Sequence, residues 1–171
     1  ITLLTAWGND SGFWGLLAFS MQMALVLVLG SAMASARVCK RGLGAIANAA
    51  KDKKRAILLV TFVSTVCCWL NWGFGLIVGV IFAKESARKL RGVDYRLLIA
   101  SAYSGFVVWH AGISGSIPLK MASDIDDLKK ATNGVLTSVV PINETIFDPH
   151  NIIMVVIVIA ALVIVNAMMH P

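Results

Sequence analysis

The chain has 171 residues, of which 58% are hydrophobic and only 14% are charged. Soluble domains contain about 45–50% apolar and about 25% charged residues, so this composition excludes a soluble domain and indicates an integral membrane protein. The net charge of +6 does not indicate nucleic-acid binding. Most Lys and Arg residues, seven in 37–55 and five in 84–96, lie in two short segments, where basic residues orient membrane segments.

Four uncharged stretches follow one another along the chain. A helix that spans a bilayer needs roughly 20 apolar residues, and each stretch is long enough to reach into or across it. They are residues 13–36, 56–83, 97–118 and 150–170. We therefore predict an all-α, polytopic membrane protein with a single membrane domain over residues 1–171. Because the chain begins at Ile1 and stops where an apolar stretch ends, we expect it to be a fragment of a longer protein.

The charges of the connecting segments predict on which side of the membrane they lie. Segment 37–55 has seven basic residues and one acidic residue, 84–96 has five and two, and 119–149 has three and five. Loops rich in Lys and Arg stay in the cytoplasm, so the first two are predicted to be cytoplasmic loops and the third a periplasmic loop. Residues 13–36, 97–118 and 150–170 are then transmembrane helices, whereas 56–83 enters and leaves by the same face.

The stretch 56–83 is predicted to be a re-entrant hairpin that turns at Asn71. As one straight helix its 28 residues would measure about 42 Å, against a hydrocarbon core of about 30 Å. The alternative is a single tilted span with 84–96 outside. In the preceding segment, residues 43–50 fit either a short interfacial helix or an ordinary basic connector.

Helical backbone is expected to break at membrane depth in two places, at 71–75 and at 111–118. Glycine spacing and Pro118 disfavour continuous helix, and irregular backbone there must be buried in protein or line a wet cavity. Broken helix ends present N–H groups that suit a carboxylate, and secondary transporters bind substrates at such ends. The alternative is that the glycines, such as Gly75-x-x-x-Gly79, only allow close helix packing and that Asn71 is only an N-cap.

Other sequence features restrict the chemistry. The uncharged stretches contain no carboxylate, which favours an anionic or neutral substrate over a cation. No catalytic constellation occurs and the three cysteines lack metal-ligand spacing, so we predict no enzyme activity, no metal and no cofactor. His110 fits either a packed, hydrogen-bonded residue or a proton relay.

Several blocks of the sequence resemble the bacterial short-chain fatty acid transporter family. The resemblance covers most of residues 7–155. The blocks are Gly12-Phe13-Trp14-x-Leu16-Leu17-Ala18-Phe19-x-Met21-Gln22-Met23-Ala24-Leu25, Trp72-Gly73-Phe74-Gly75, Asp94-Tyr95, Leu97-Leu98-Ile99-Ala100-x-Ala102-Tyr103 and Ser114-Gly115-Ser116-x-Pro118-Leu119. Family members are longer, so the chain would be their N-terminal part.

The resemblance implies a multi-pass secondary transporter of the bacterial inner membrane for short-chain monocarboxylates such as acetoacetate or butyrate. It also implies one half of an inverted-repeat architecture, with a hairpin and a broken helix in each half. By this resemblance, the substrate-binding residues are expected to be Asn71, Gly73, Gly75, Ser114, Gly115 and Ser116. The stretch His110-Ala111 departs from the family's glycine-rich pattern, which leaves the role of His110 open.

The resulting hypothesis is alternating access with a co-transported cation, a proton or sodium. Asn71 and the hairpin N–H groups would face Ser114 and Ser116 across a pocket near the midplane. Trp72 and Phe74 would contact the alkyl tail, and His110 would also line the pocket. Assembly into a homo-oligomer is left open. The rival hypothesis is a structural or accessory membrane subunit that transports nothing.

Overall fold

A computed structural model describes residues 2–8, 14, 17–90 and 92–170. The described residues contain helices and no strand, which confirms the predicted all-α class. The α-helices are α1 (Thr2–Gly8), α2 (Leu17–Ser35), α3 (Arg37–Ala49), α4 (Lys53–Leu70), α5 (Trp72–Lys89), α6 (Tyr95–Ser104), α7 (Ser116–Met121), α8 (Ile125–Ala131) and α9 (Pro149–Met168). Of the predicted stretch 13–36, residues 13, 15 and 16 lie outside the described part.

The long uncharged stretch forms two antiparallel helices, α4 and α5, that meet at Asn71. This residue has extended backbone (φ −154°, ψ 121°), which separates the two helices. The backbones approach closely: a Cβ at Gly75 would lie 2.5 Å from the Cα of Cys68, and one at Gly79 would lie 2.6 Å from Ser64 Oγ. At the open end, Gly92 lies against the Lys53 side chain. The two basic ends of the hairpin are therefore neighbours.

Segment 37–55 was predicted to connect two membrane segments, with either a short helix or an ordinary basic connector at 43–50. The chain bends by 63° after α2 and continues as the helix α3. Leu43 and Ala47 of α3 are buried, whereas Val38 is 80% exposed. Because one face packs on protein and another is basic, the helix is amphipathic. Of the two alternatives for this segment, the structure contains the short helix.

The core lies between the hairpin and α6. Its fully buried side chains include Ile57 and Val60 of α4, Phe82 of α5 and Leu98 of α6. The Ser64 hydroxyl of α4 donates to the carbonyl of Ala102 in α6. The hairpin is consequently the central element against which α2, α3, α6 and α9 pack.

The helix predicted over 97–118, with a break expected at 111–118, is irregular at 112–115 and leaves regular α-helix already at Gly105. After α6 the chain tightens to 3₁₀ winding over Gly105–Ala111, is irregular at 112–115 and resumes as α7. The tightening begins where a Cβ at Gly105 would lie 2.7 Å from the Thr65 backbone nitrogen. The predicted loop 119–149 contains the second half of α7, all of α8 and a 3₁₀ turn at Ile142–Glu144.

Two described stretches are long and apolar enough to cross a membrane by length and composition. They are Tyr95–Met121, which includes the irregular residues, and Pro149–Met168; the bent pair of α2 and α3 makes a third if counted as one span. The helices α4 and α5 each have 18 residues, but charged residues occupy their outer ends. Neither helix therefore offers a full uncharged span.

Candidate functional site at the hairpin tip

Asn71 both ends α4 and starts α5. Its backbone N–H donates to the Cys67 carbonyl at 2.9 Å, and its own carbonyl accepts from Gly75 N at 2.8 Å. The side-chain Oδ1 accepts from the backbone N–H of Phe74 at 3.0 Å, an N-cap bond. This bond determines the orientation of the amide, because only its oxygen can accept. The Nδ2 group is then the free end of the side chain.

The irregular segment 112–115 lies directly on the hairpin tip. Ile113 donates its backbone N–H to the Trp69 carbonyl at 2.8 Å, and Trp72 N–H donates to Ser114 Oγ at 3.0 Å. The approach requires glycine, since a Cβ at Gly112 would meet the Trp69 carbonyl oxygen and lie 2.8 Å from its carbon. The two irregular segments thus provide hydrogen-bond partners for some of each other's backbone N–H and C=O groups, which must be paired where water is excluded.

This contact changes the hypothesis of a pocket between Asn71 and the two serines. Ser114 hydrogen-bonds the tip directly, so no ligand-sized space separates them. Gly115 is buried, and a Cβ there would lie 2.5 Å from the His110 carbonyl oxygen. Ser116 is exposed at the start of α7, and no hydrogen bond among the described residues joins it to the tip. The structure therefore brings Ser114 to the tip and leaves Ser116 away from it.

The open space at the tip lies instead between the hairpin and α2. A Cβ at Gly73 would lie 2.9 Å from a Val26 methyl group, and one at Gly30 would lie 3.0 Å from Phe74 N. Beside these contacts is a cavity of about 350 Å³. Its described lining residues are Val26, Leu29, Gly30, Met33, Leu70, Asn71 and Phe74.

Asn71 contributes the one polar side chain among those lining residues. Its Nδ2 donates to no group in the described part of the chain, whereas Oδ1 is occupied by Phe74 N–H. An amide donor whose orientation is already determined therefore borders an apolar cavity. Such a combination can hold a small ligand with one anionic end and one apolar end.

The aromatic residues near the tip divide between two places. Phe74 lines the cavity, but Trp72 packs against Phe106 and Trp109, with ring centroids 6.1 and 5.9 Å away. His110 is exposed, and its ring centroid lies 3.8 Å from that of Trp109. Neither Trp72 nor His110 is among the residues that line the cavity, so the structure does not bring these two predicted lining residues to it.

Sequence reasoning missed two residues that secure the break. Trp69 Nε1 donates to the Ala111 carbonyl at 3.1 Å. Asn151 Nδ2 donates to the same carbonyl at 3.0 Å and to that of Ile146 at 2.8 Å. An amide in an otherwise apolar stretch is the signal that could have identified Asn151. Nothing in the sequence distinguishes Trp69 from the other tryptophans.

A buried polar network joins α9 to the hairpin and to α6. Asn166, which is 8% exposed, donates through Nδ2 to Thr61 Oγ1 at 3.2 Å and to Ser104 Oγ at 2.8 Å. The Thr61 hydroxyl donates to the Ile57 carbonyl at 2.8 Å. Because residues 152–165 of α9 are apolar and mostly exposed, these bonds and those of Asn151 determine where and in which rotation the helix packs.

Comparison with known proteins places this sequence in a family. The family model described as "Short chain fatty acid transporter" matches residues 1–171. A protein of Escherichia coli (strain K12) named "Putative short-chain fatty acid transporter" is 43% identical over 171 residues, covering 100% of this chain and 37% of that protein. A Haemophilus influenzae protein of the same name is 40% identical over 173 residues, covering 100% of this chain and 38% of that protein.

The chain thus spans less than two fifths of the length of these curated relatives. No solved structure matches it significantly. The family match extends over every residue, including both helix breaks and the cavity-lining part of α2. The chain therefore belongs to the short chain fatty acid transporter family, which is a family of transporters and not of enzymes.

Proposed function

We propose that the full-length protein is a secondary transporter that carries short-chain fatty acids, such as butyrate or acetoacetate, across the bacterial inner membrane by alternating access. The names of the relatives give the substrate class. The observation that carries the proposal for this chain is the apolar cavity at the hairpin tip, bordered by the unoccupied amide donor of Asn71.

The cavity complements the two ends of a short monocarboxylate. In the proposed complex, the carboxylate accepts a hydrogen bond from Asn71 Nδ2. The alkyl tail lies against the side chains of Val26, Leu29 and Leu70. Because Oδ1 is already held by Phe74 N–H, the donor needs no reorientation on binding, which lowers the cost of association.

The charge balance at the tip also favours an anion. The N-terminus of α5 lies at Trp72, and the helix dipole places about half a positive charge there. The stretch 56–83 contains no acidic side chain, so no negative charge of this stretch repels a carboxylate at the tip. A cationic substrate would lack a counter-charge here.

The proposal includes a membrane topology. The hairpin enters from the cytoplasm and returns to it, so that 37–55 and 84–96 are cytoplasmic and 119–149 is periplasmic. Co-transport of a proton or sodium ion drives uptake, and the part of the protein beyond this chain supplies the other wall of the site. The adjacency of Gly92 and Lys53 supports this arrangement, because it places the two basic segments at one end of the hairpin.

The decisive experiment is the uptake of radiolabelled butyrate by the full-length protein with Asn71→Asp. Aspartate caps a helix as well as asparagine does, so the hairpin turn is retained at neutral pH. The donor, however, becomes a negative charge facing the substrate carboxylate. Loss of a hydrogen bond to a charged group is worth about 1.5–3 kcal/mol, so kcat/KM for uptake should fall at least about tenfold.

Two further variants separate binding from folding. Asn71→Ser keeps a capping oxygen but removes the amide donor, and should also lower uptake while the protein remains monodisperse. Asn133→Asp makes the same chemical change at an exposed loop residue and should leave uptake unchanged. Normal uptake by Asn71→Asp would refute the role of Asn71, and absence of uptake by the wild type would favour the structural subunit.

A further inference from the structure

A second cavity, far from the hairpin tip, lies between α3 and α5. It has a volume of about 420 Å³ and is lined by Lys40 and Leu43 of α3 and by Ile81, Lys84, Glu85 and Arg88 of α5. Leu43 is buried and Ile81 half-buried, whereas the three cations are exposed. The cleft thus has an apolar floor and a basic rim. At 1.5 Å per residue, Arg88 lies about 24 Å along α5 from the tip.

The acidic residue of the cleft already has a cationic partner. Glu85 Oε1 lies 3.7 Å from Lys89 Nζ, and the same Nζ donates to the Gly44 carbonyl at 3.1 Å and to Asn48 Oδ1 at 2.8 Å. Lys40, Lys84 and Arg88 form no ion pair with the residues that the structure describes. Like charges around one cleft repel one another, so an anion placed between them would be stabilised.

The helix that forms one wall has the character of an interfacial helix. It leaves the apolar α2 at 63°, and it exposes Val38 (80%) and Ile46 (36%) beside the basic Lys40 and Arg41. A helix with an exposed apolar face and an adjacent basic face lies at the boundary between acyl chains and headgroups. A ligand in the cleft would therefore be reached from the membrane surface.

We propose that this cleft binds the headgroup phosphate of an anionic phospholipid. The phosphate lies among Lys40, Lys84 and Arg88, and the acyl chains follow the apolar surface of α5, on which Val80 is 48% exposed. Basic clefts between helices at the cytoplasmic side are suited to such headgroups. The bound lipid would tie α3 to the open end of the hairpin.

The test titrates the full-length protein, purified in detergent, with three separate probes: dihexanoyl phosphatidylglycerol, dihexanoyl phosphatidylcholine and inorganic phosphate. The wild type should bind phosphatidylglycerol more tightly than the other two. Each cation near the surface contributes on the order of fivefold in affinity for an anionic lipid. The triple variant Lys40→Gln/Lys84→Gln/Arg88→Gln should therefore bind phosphatidylglycerol about 100-fold more weakly, with unchanged phosphatidylcholine binding.

The control Lys51→Gln/Lys129→Gln/Arg96→Gln removes the same charge from exposed positions outside the cleft and should change the affinity by less than about twofold. Glu85→Gln should act in the opposite direction and strengthen phosphatidylglycerol binding several-fold, because it removes the only negative charge among the described lining residues. This gain cannot come from misfolding. Unchanged binding by the triple variant, equal binding of the two lipids, or phosphate binding as tight as that of phosphatidylglycerol would each overturn the proposal.

Discussion

Replacement of Gly75 by alanine tests the close approach of α4 and α5. A Cβ at this position would meet the backbone nitrogen of Cys68 and lie 2.5 Å from its Cα and Sγ. Backbone atoms cannot rotate away as side chains do, so the helices must separate by about 1 Å to restore normal contact distances. Overpacking of a tight interface costs typically about 1–3 kcal/mol, and backbone obstruction places this site at the upper end.

Alanine also favours helix over glycine by about 1 kcal/mol. The net destabilisation by Gly75→Ala is therefore about 2 kcal/mol, which should lower the thermal unfolding midpoint of the purified full-length protein by several degrees. Tryptophan fluorescence during heating measures this midpoint. The two glycines of Gly75-x-x-x-Gly79 look alike in the sequence, but the nearest obstruction at Gly79 is the Ser64 hydroxyl. Unlike backbone, this hydroxyl can move away, although it then gives up its hydrogen bond to the Ala102 carbonyl. Gly79→Ala should therefore destabilise the protein clearly less than Gly75→Ala does.

Gly44 provides the matched control, since a Cβ there would meet nothing within 4 Å. Gly44→Ala should gain helix propensity in α3 and raise the midpoint slightly or leave it unchanged. The predicted order of stability is Gly44→Ala, then Gly79→Ala, then Gly75→Ala. A Gly75→Ala protein as stable as the wild type would refute the direct backbone contact between the two helices.

Further predictions concern the polar contacts of the tip and of α9. Ser114→Ala should lower the unfolding midpoint, because it removes the acceptor for Trp72 N–H at a cost of about 1–3 kcal/mol. The exposed Ser116 should tolerate alanine. Equal effects of the two substitutions would contradict the contact between Ser114 and the tip. Asn166→Ala removes the bonds from α9 to Thr61 and Ser104 and should cost about 1–2 kcal/mol in the same assay. An unchanged midpoint for Asn166→Ala would mean that apolar packing alone positions α9.

The hairpin was predictable because the sequence gives two independent signals for it. One is the cluster of Lys and Arg residues on each side of the uncharged stretch 56–83. The other is Asn71 followed by Gly73 and Gly75, a combination that stops one helix and caps the next. The helix break near 112–115 was likewise indicated by its glycines and serines. These signals are local in the sequence, so they can be interpreted without knowledge of tertiary contacts.

The residues that pack against the hairpin tip were not predictable from the sequence. Val26 and Gly30 of α2 lie in a continuously apolar stretch, where residues that face lipid and residues that face protein have the same composition. The amphipathic pattern that assigns faces in water is therefore absent. For the same reason the cavity at the tip was placed on the side of Ser114 rather than on the side of α2.

The bend after α2 was missed because a change from apolar to basic composition was interpreted as the end of a helix. The chain changes direction at Ala36 but remains helical through α3. The composition of a segment reflects its environment and not its secondary structure. A helix that continues from the membrane core to the membrane surface changes in composition but keeps its backbone hydrogen bonds. The charge of 37–49 therefore gave no signal for the continuation of the helix, and its predicted cytoplasmic location stays a prediction.

The central claim is that the hairpin returns to the side from which it enters. Single cysteines at Ala45, Arg96 and Glu144, all exposed, can be placed in the full-length protein without its native cysteines and probed with a membrane-impermeant thiol reagent. Positions 45 and 96 should label only in inverted vesicles, and position 144 only in intact cells. Labelling of position 96 from the same side as position 144 would show that residues 56–83 cross the membrane, and would contradict the re-entrant hairpin.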